Sequence, residues 1–154
     1  MKRQAVRQKN VNTRQKAARD GAASDNSNGE ERRDMQRRMI NPALTEIHDL
    51  LYQFGVKATI QGYFETSSAI FLAMRRQQEG DPWFSIMDIY REISELYHVE
   101  LGDIDPRIRR VIRIAWKTQP EYLSRIAGEK LQAQPSPRQF IDMLSGYLLE
   151  RRKR

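Results

Sequence analysis

A chain of 154 residues with a formal net charge of +7 has room for one domain of ordinary size and a tail. It contains no cysteine, which excludes disulfides, thiolate zinc sites and cysteine nucleophiles and is compatible with a reducing cytoplasm. No apolar run reaches the roughly 18 to 20 residues of a membrane span and the first residues lack the apolar core of a signal peptide, so a soluble, cytoplasmic protein is expected. Its positive charge suits an anionic partner such as nucleic acid.

The charge is unevenly placed. Residues 1–19 hold seven basic side chains (Lys2, Arg3, Arg7, Lys9, Arg14, Lys16 and Arg19) and no acidic one. Residues 20–38 hold four basic and five acidic side chains, and residues 39–154 hold sixteen and fifteen, so the excess lies in the first segment. The first aromatic residue is Tyr52. A segment of this composition cannot bury enough apolar surface to offset its ordering entropy, and disorder is expected through about residue 38, with at most a transient helix around Glu30 to Arg38. A tethered cationic arm adds phosphate affinity that ignores sequence and fades with salt; the plainer alternative is a solubilising tail.

Folded structure is expected from Asn41-Pro42, making 39–154 the domain. Leu44, Ile47, Leu50, Leu51 and Phe54 have helical spacing, Asn41 and Pro42 read as cap and first-turn residue, and Gly55 stands where a left-handed cap ends the helix. The β-branched segment VKATIQGY suggests an extended connection. A second helix is expected over Phe64 to Gln78 with Ala69, Ile70, Leu72 and Ala73 inward, stopped by Gly80. Asp81-Pro82 would restart the chain as a third helix through Ile86, Ile89 and Ile93 to Leu96 and Tyr97 on its apolar face. After a fourth, arginine-rich helix, Pro120 to Ile126 reads as a short fifth one. Ser136-Pro137 opens a sixth, with Phe140, Ile141, Leu144, Leu148 and Leu149 as its apolar face, ending in Arg151, Arg152, Lys153 and Arg154. The fold class is all-α, six helices, with no convincing sheet and no internal repeat.

The third and fourth helices read as a helix-turn-helix. Between them Gly102 is expected to take the positive φ of a tight turn, Asp103 to cap the next helix, and Pro106 to occupy its first turn. Ile104, Ile108, Val111, Ile112 and Ala115 form one face of that helix, and Arg107, Arg109, Arg110 and Arg113 lie around it. Such an element fits the DNA major groove, although arginines on a helix are more often simply solvated. Groove reading requires that Arg109 stand clear of neighbouring carboxylates and that the helix not be roofed over by the rest of the fold.

The segment ALTEIHDLLYQFGVKATIQGYFETSSAI resembles the opening of the C-terminal effector domain of the stage 0 sporulation protein A family, where a helix is followed by GVPAHIKGY and a helix ending in an AI pair. Gly55, Val56, Ala58, Ile60, Gly62, Tyr63, Ala69 and Ile70 match. The likeness continues through Ile93 and Tyr97 to Arg109 and Ile114-Ala115-Trp116, and returns at PSPRQFIDM with Phe140, Ile141 and Met143 in register. It covers residues 42–150 apart from a shorter connection between Trp116 and Pro135.

The resemblance implies an all-helical domain on double-stranded DNA, with the fourth helix in the major groove and the last helix, here ending in Arg151 and Arg152, assisting at phosphates. It also implies a homodimer of two domains head to tail on tandem sites. The family's base-reading positions fall on Asp103, Asp105, Pro106 and Arg109. Arg109 keeps the family's arginine and suits guanine O6 and N7, and Asp105 replaces a glutamate and suits a cytosine amino group. Pro106 replaces a guanine-reading arginine and Asp103 a basic residue, so altered specificity, weaker affinity or a new partner is expected. The family's regulator also carries a phosphoacceptor receiver domain. Nothing before Pro42 resembles one, and control by aspartyl phosphorylation of such a domain is not expected.

Arg110 and Arg113 are the foremost phosphate candidates, with Arg107 either a third or a surface charge. His48 and His98 read as surface or structural residues. Tyr63 and Trp116 read as core aromatics, and Trp83 as a half-exposed residue of the core or of a dimer contact. There is no Gly-rich phosphate loop, HExxH, nucleophile elbow or buried carboxylate pair, so no enzyme activity, metal, cofactor or small-molecule ligand is expected. No amphipathic helix suits a membrane. The expected function is a sequence-specific DNA-binding transcriptional regulator. The alternatives are a protein-interaction module or antagonist that kept the fold and lost base reading, and RNA binding through the arm.

Overall fold

The computed structural model describes residues 41–153; the arm expected to be disordered through about residue 38, and Arg154, lie outside the described residues. Within them the chain forms six α-helices and no strand: α1 (Pro42–Gln53), α2 (Tyr63–Gln78), α3 (Ile86–Tyr97), α4 (Leu101–Thr118), α5 (Pro120–Ala127) and α6 (Pro137–Arg152). This is the all-α, six-helix fold anticipated from periodicity.

Local signals explain most helix ends. Gly55 takes φ +82° after α1, where its amide donates to the Tyr52 carbonyl at 2.9 Å. Ser136 caps α6 by accepting from the Gln139 amide at 3.2 Å, with Pro137 in the first turn. Before the corner between α3 and α4, two stretches differ from expectation. The 56–62 connection is not extended but folds into successive turns, with the Ile60 amide donating to Lys57 O at 3.0 Å and the Tyr63 amide to Ile60 O at 3.1 Å. And α3 begins at Ile86, not at Asp81-Pro82, because Ser85 supplies the cap, accepting from the Asp88 amide at 3.3 Å. Residues 81–84 are instead held by Arg138 of α6. Its guanidinium donates to Phe84 O at 2.6 Å and to Pro82 O at 3.3 Å and lies 4.1 Å over the Phe84 ring.

The core is built around α2, which touches α1, α3, α4 and α6. Ala69, Ile70, Leu72 and Ala73 are buried as expected, but so are Glu65, Thr66, Ser67, Ser68 and Met74. Small side chains let four helices close in on this one, and its polar atoms are mostly satisfied at short range. Ser67 donates to Phe64 O at 3.2 Å, the Ser68 and Tyr97 hydroxyls share a 2.7 Å hydrogen bond, and Gln77 donates to the Ser145 hydroxyl at 2.8 Å. Thr66 Oγ1 is the buried exception.

Aromatic and apolar residues at the periphery correct the periodicity reading. Leu96 and Tyr97, assigned to the buried face of α3, are 45% and 39% exposed because the last turn of that helix runs past the core. Phe64 and Trp83 are also exposed, Trp83 fully so at 88%. Tyr63 is buried, 5.1 Å from the His48 ring, and Trp116 packs partly buried against the core.

Candidate nucleic-acid interface

The corner between α3 and α4 is made by His98, not Gly102. His98 takes the left-handed conformation, φ 55° and ψ 45°, which a β-carbon disfavours. Ser94 stabilises it from both sides. Its carbonyl accepts the His98 and Val99 amides, the latter at 3.2 Å, and its hydroxyl donates to the Val99 carbonyl at 2.6 Å. The chain is thereby turned four residues earlier than the glycine suggests, and α4 starts at Leu101 behind Glu100. Gly102 then lies inside the helix without positive φ, and Asp103 is a first-turn residue, not the cap. Pro106 is the sixth helical residue, beyond the first turn where its missing N–H would cost nothing; the carbonyl deprived of that donor belongs to Gly102, which is exposed to solvent.

Below this corner α4 has two faces. Ile104, Ile108, Val111, Ile112 and Ala115 are fully buried, forming the ridge expected from spacing. Opposite them Gly102, Asp103, Pro106, Arg109, Arg110, Arg113 and Lys117 are exposed, at the three- and four-residue steps of one helical face. The helix is not roofed over. Its outer face is acidic at the N-terminal end, where carboxylates complement the helix dipole, and basic from Arg109 onward.

The other condition, that Arg109 stand clear of carboxylates, is not met. Arg109 Nε donates to Asp105 Oδ2 at 2.6 Å, one turn back on the same helix. The second oxygen of Asp105 accepts the Tyr90 hydroxyl at 2.9 Å, so a buried tyrosine of α3 anchors the carboxylate that holds Arg109. Burial and the adjoining Asp105 carboxylate push the Tyr90 hydroxyl to a much higher pKa, which keeps it a proton donor at every physiological pH. The Arg109 and Asp105 side chains remain 52% and 39% exposed, so the condition was stricter than groove reading needs: the pairing occupies Nε and leaves a guanidinium that is still half exposed to solvent.

The remaining arginines divide. Arg110 and Arg113 are exposed on the outer face. Arg107 turns inward to Glu65 of α2 at 2.7 Å. On α6, Arg152 Nε lies 3.2 Å from Glu46 Oε1 of α1, and the Arg151 guanidinium lies 5.5 Å from the centre of the Tyr147 ring. Tyr90, Glu65 and Gly62, which fix Asp105, Arg107 and the backbone of α4, were not signalled by the sequence as parts of this surface. Only the matches of Gly62 to the family pattern hinted at its weight. Among the described residues no His, Asp and Glu side chains cluster as metal ligands.

Residues 47–148 match the family described as Sporulation initiation factor Spo0A C terminal. The chain belongs to this family. The match falls within the span 42–150 over which the resemblance was read, and it makes the chain, at the level of the family, a DNA-binding regulatory domain of a kind that is not an enzyme family. Double-stranded DNA is the partner of such Spo0A C-terminal domains. No solved structure matches the chain. No helix among the described residues is long and apolar enough to cross a membrane.

Proposed function

We propose that this protein is a sequence-specific transcriptional regulator that lays the outer face of α4 into the major groove. Arg109 reads a guanine through O6 and N7, and Arg110 and Arg113 hold flanking phosphates. Pro106 and Asp103 precede Arg109 on the same face, where the proline ring can offer only an apolar contact, such as one to a thymine methyl. Arg151 and Arg152 contribute at the backbone from the end of α6, and two copies bind tandem sites head to tail. The observation that supports this most is the continuous exposed stripe from Gly102 to Lys117 over a fully buried isoleucine ridge.

Selection of bound duplexes from a random pool, followed by binding of Arg109→Ala to the selected site, tests the proposal. The variant is expected to lose about 1 to 3 kcal/mol on that site and to relax the preference at one base pair. Equal losses on selected and random duplexes would overturn groove reading. Direct repeats among the selected sequences would support the head-to-tail pair, and single sites would refute it.

A second reading is favoured by the first two turns of α4, which carry Asp103, Asp105 and Pro106 and only one basic residue, the inward-turned Arg107. Here the domain is a protein-interaction module that pairs with another regulator of the same fold. Only salt-sensitive, sequence-blind DNA binding together with stable capture of such a regulator would establish it in place of the first.

A further inference from the structure

We infer that Asp105 and Tyr90 do not read DNA but position Arg109 for it, holding the guanidinium in one orientation with its Nη1/Nη2 edge outward to meet guanine O6 and N7. The inference rests on the proposed role of Arg109 at a base edge. An arginine can offer a bidentate partner either Nε with one Nη or the two terminal nitrogens. In this protein Nε is taken by Asp105 Oδ2 at 2.6 Å, which leaves the terminal pair to face outward. A carboxylate on a helix surface would ordinarily be free to swing toward solvent or toward a base. Asp105 is not, because its Oδ1 accepts the hydroxyl of Tyr90 at 2.9 Å, and Tyr90 is only 3% exposed on the neighbouring helix.

Turning Asp105 toward a cytosine amino group would strip one oxygen from Arg109 or leave a buried phenol without its acceptor. The arrangement spans both helices of the helix-turn-helix: a buried residue of α3 sets a carboxylate at the start of α4, and that carboxylate sets the arginine one turn on. Pairing with Arg109 also neutralises a charge that would otherwise face the phosphates. Asp105 therefore contributes discrimination and little affinity of its own.

The test uses the full chain in two measurements. In the first, without DNA, the side-chain Nε–H of Arg109 is followed by NMR as its exchange with water. Exchange is expected to be slow in the native protein, fast in Asp105→Asn and intermediate in Tyr90→Phe. Equal exchange in all three would overturn the positioning whatever the protein binds, and thermal melts identify any variant that fails to fold. In the second, discrimination is measured as the ratio of affinities for the selected site and for the same site with the Arg109 guanine replaced by adenine. Asp105→Asn and Tyr90→Phe are expected to lower that ratio about three- to tenfold while leaving affinity for random duplex unchanged or slightly higher. In an Arg109→Ala background Asp105→Asn should lower it no further. Full discrimination in both variants, with loss in Arg109→Ala, would overturn the inference and leave the DNA reading intact. A loss confined to a cytosine position would make Asp105 a base reader instead. No loss in Arg109→Ala would remove the DNA reading and this inference together.

Discussion

Arg107 Nη1 donates to Glu65 Oε2 at 2.7 Å, joining the middle of α4 to the first turn of the central helix. The two ends of the pair are differently solvated, the Glu65 side chain being 9% exposed and that of Arg107 26%. A charge left alone in the less solvated position costs more, so the two single truncations should not be equivalent. Arg107→Ala is expected to destabilise by about 3 kcal/mol and Glu65→Ala by about half of that, since a freed Arg107 can turn to water. Urea unfolding of both variants checks the order, and equal losses would argue that the pair is solvated alike at both ends. The same pair limits what Arg107 can offer a phosphate, because reaching out would abandon a buried carboxylate.

Gly62 makes a still closer approach to the same residue. It holds φ +102°, and a β-carbon there would fall 2.3 Å from the Arg107 carbonyl oxygen. Backbone stands on both sides of that clash, so Gly62→Ala is expected to cost about 3 kcal/mol or more, or to prevent folding. Gly102→Ala should do the reverse, adding about 0.5 to 1 kcal/mol, because the residue is helical and a methyl would meet nothing within 4 Å. Thermal melts of the two alanine variants separate them. Destabilisation by Gly102→Ala would return the corner to the glycine.

That reversal of roles marks where the sequence was legible. Large aliphatic residues at helical spacing announced the Ile104, Ile108 and Ile112 ridge, because only one face of a surface helix can be buried. Ser136-Pro137 and Gly55 announced helix ends by local chemistry that needs no tertiary context. The corner was misplaced because His98 is carried into an unfavourable conformation by hydrogen bonds from Ser94, which outweigh the preference of glycine for that role. The central position of α2 was hidden by its own composition. Thr66, Ser67 and Ser68 look like a solvated face and are buried because four helices need small residues where they converge. The union of Tyr90, Asp105 and Arg109 was invisible for a different reason, since it depends on a contact across fifteen residues that no periodicity encodes.

Deleting residues 1–19 separates the tail from the groove. Those residues carry seven positive charges and no negative ones, whereas residues 39–154 are nearly balanced. Counterion release predicts that the deletion weakens selected and random duplexes by the same factor and makes the logarithmic salt slope shallower, by at most about 6 if every charge meets a phosphate. Titrations at several salt concentrations measure both effects. An unchanged slope would make the segment a solubilising tail, and a loss confined to the selected site would give it a part in specificity.

The acid side of the stability profile should carry the signature of His48. This imidazole packs 5.1 Å from the Tyr63 ring, and burial lowers its pKa from the ordinary 6.5, an effect the nearby Asp49 carboxylate only partly offsets. In the window between 6.5 and the lower native value the unfolded chain binds more protons than the folded one, so stability rises with pH. The contribution is therefore complete above about 6.5 and is lost as the pH falls through that value toward the native one. Unfolding midpoints followed from pH 8 to pH 5 should decline on the acid side in the native protein, and His48→Asn should remove part of that decline while leaving the neutral region flat. Carboxylates titrate mainly below this range, which keeps the two effects apart. Parallel profiles for the two proteins would mean that His48 is as easily protonated folded as unfolded, and that its packing on Tyr63 does not exclude water.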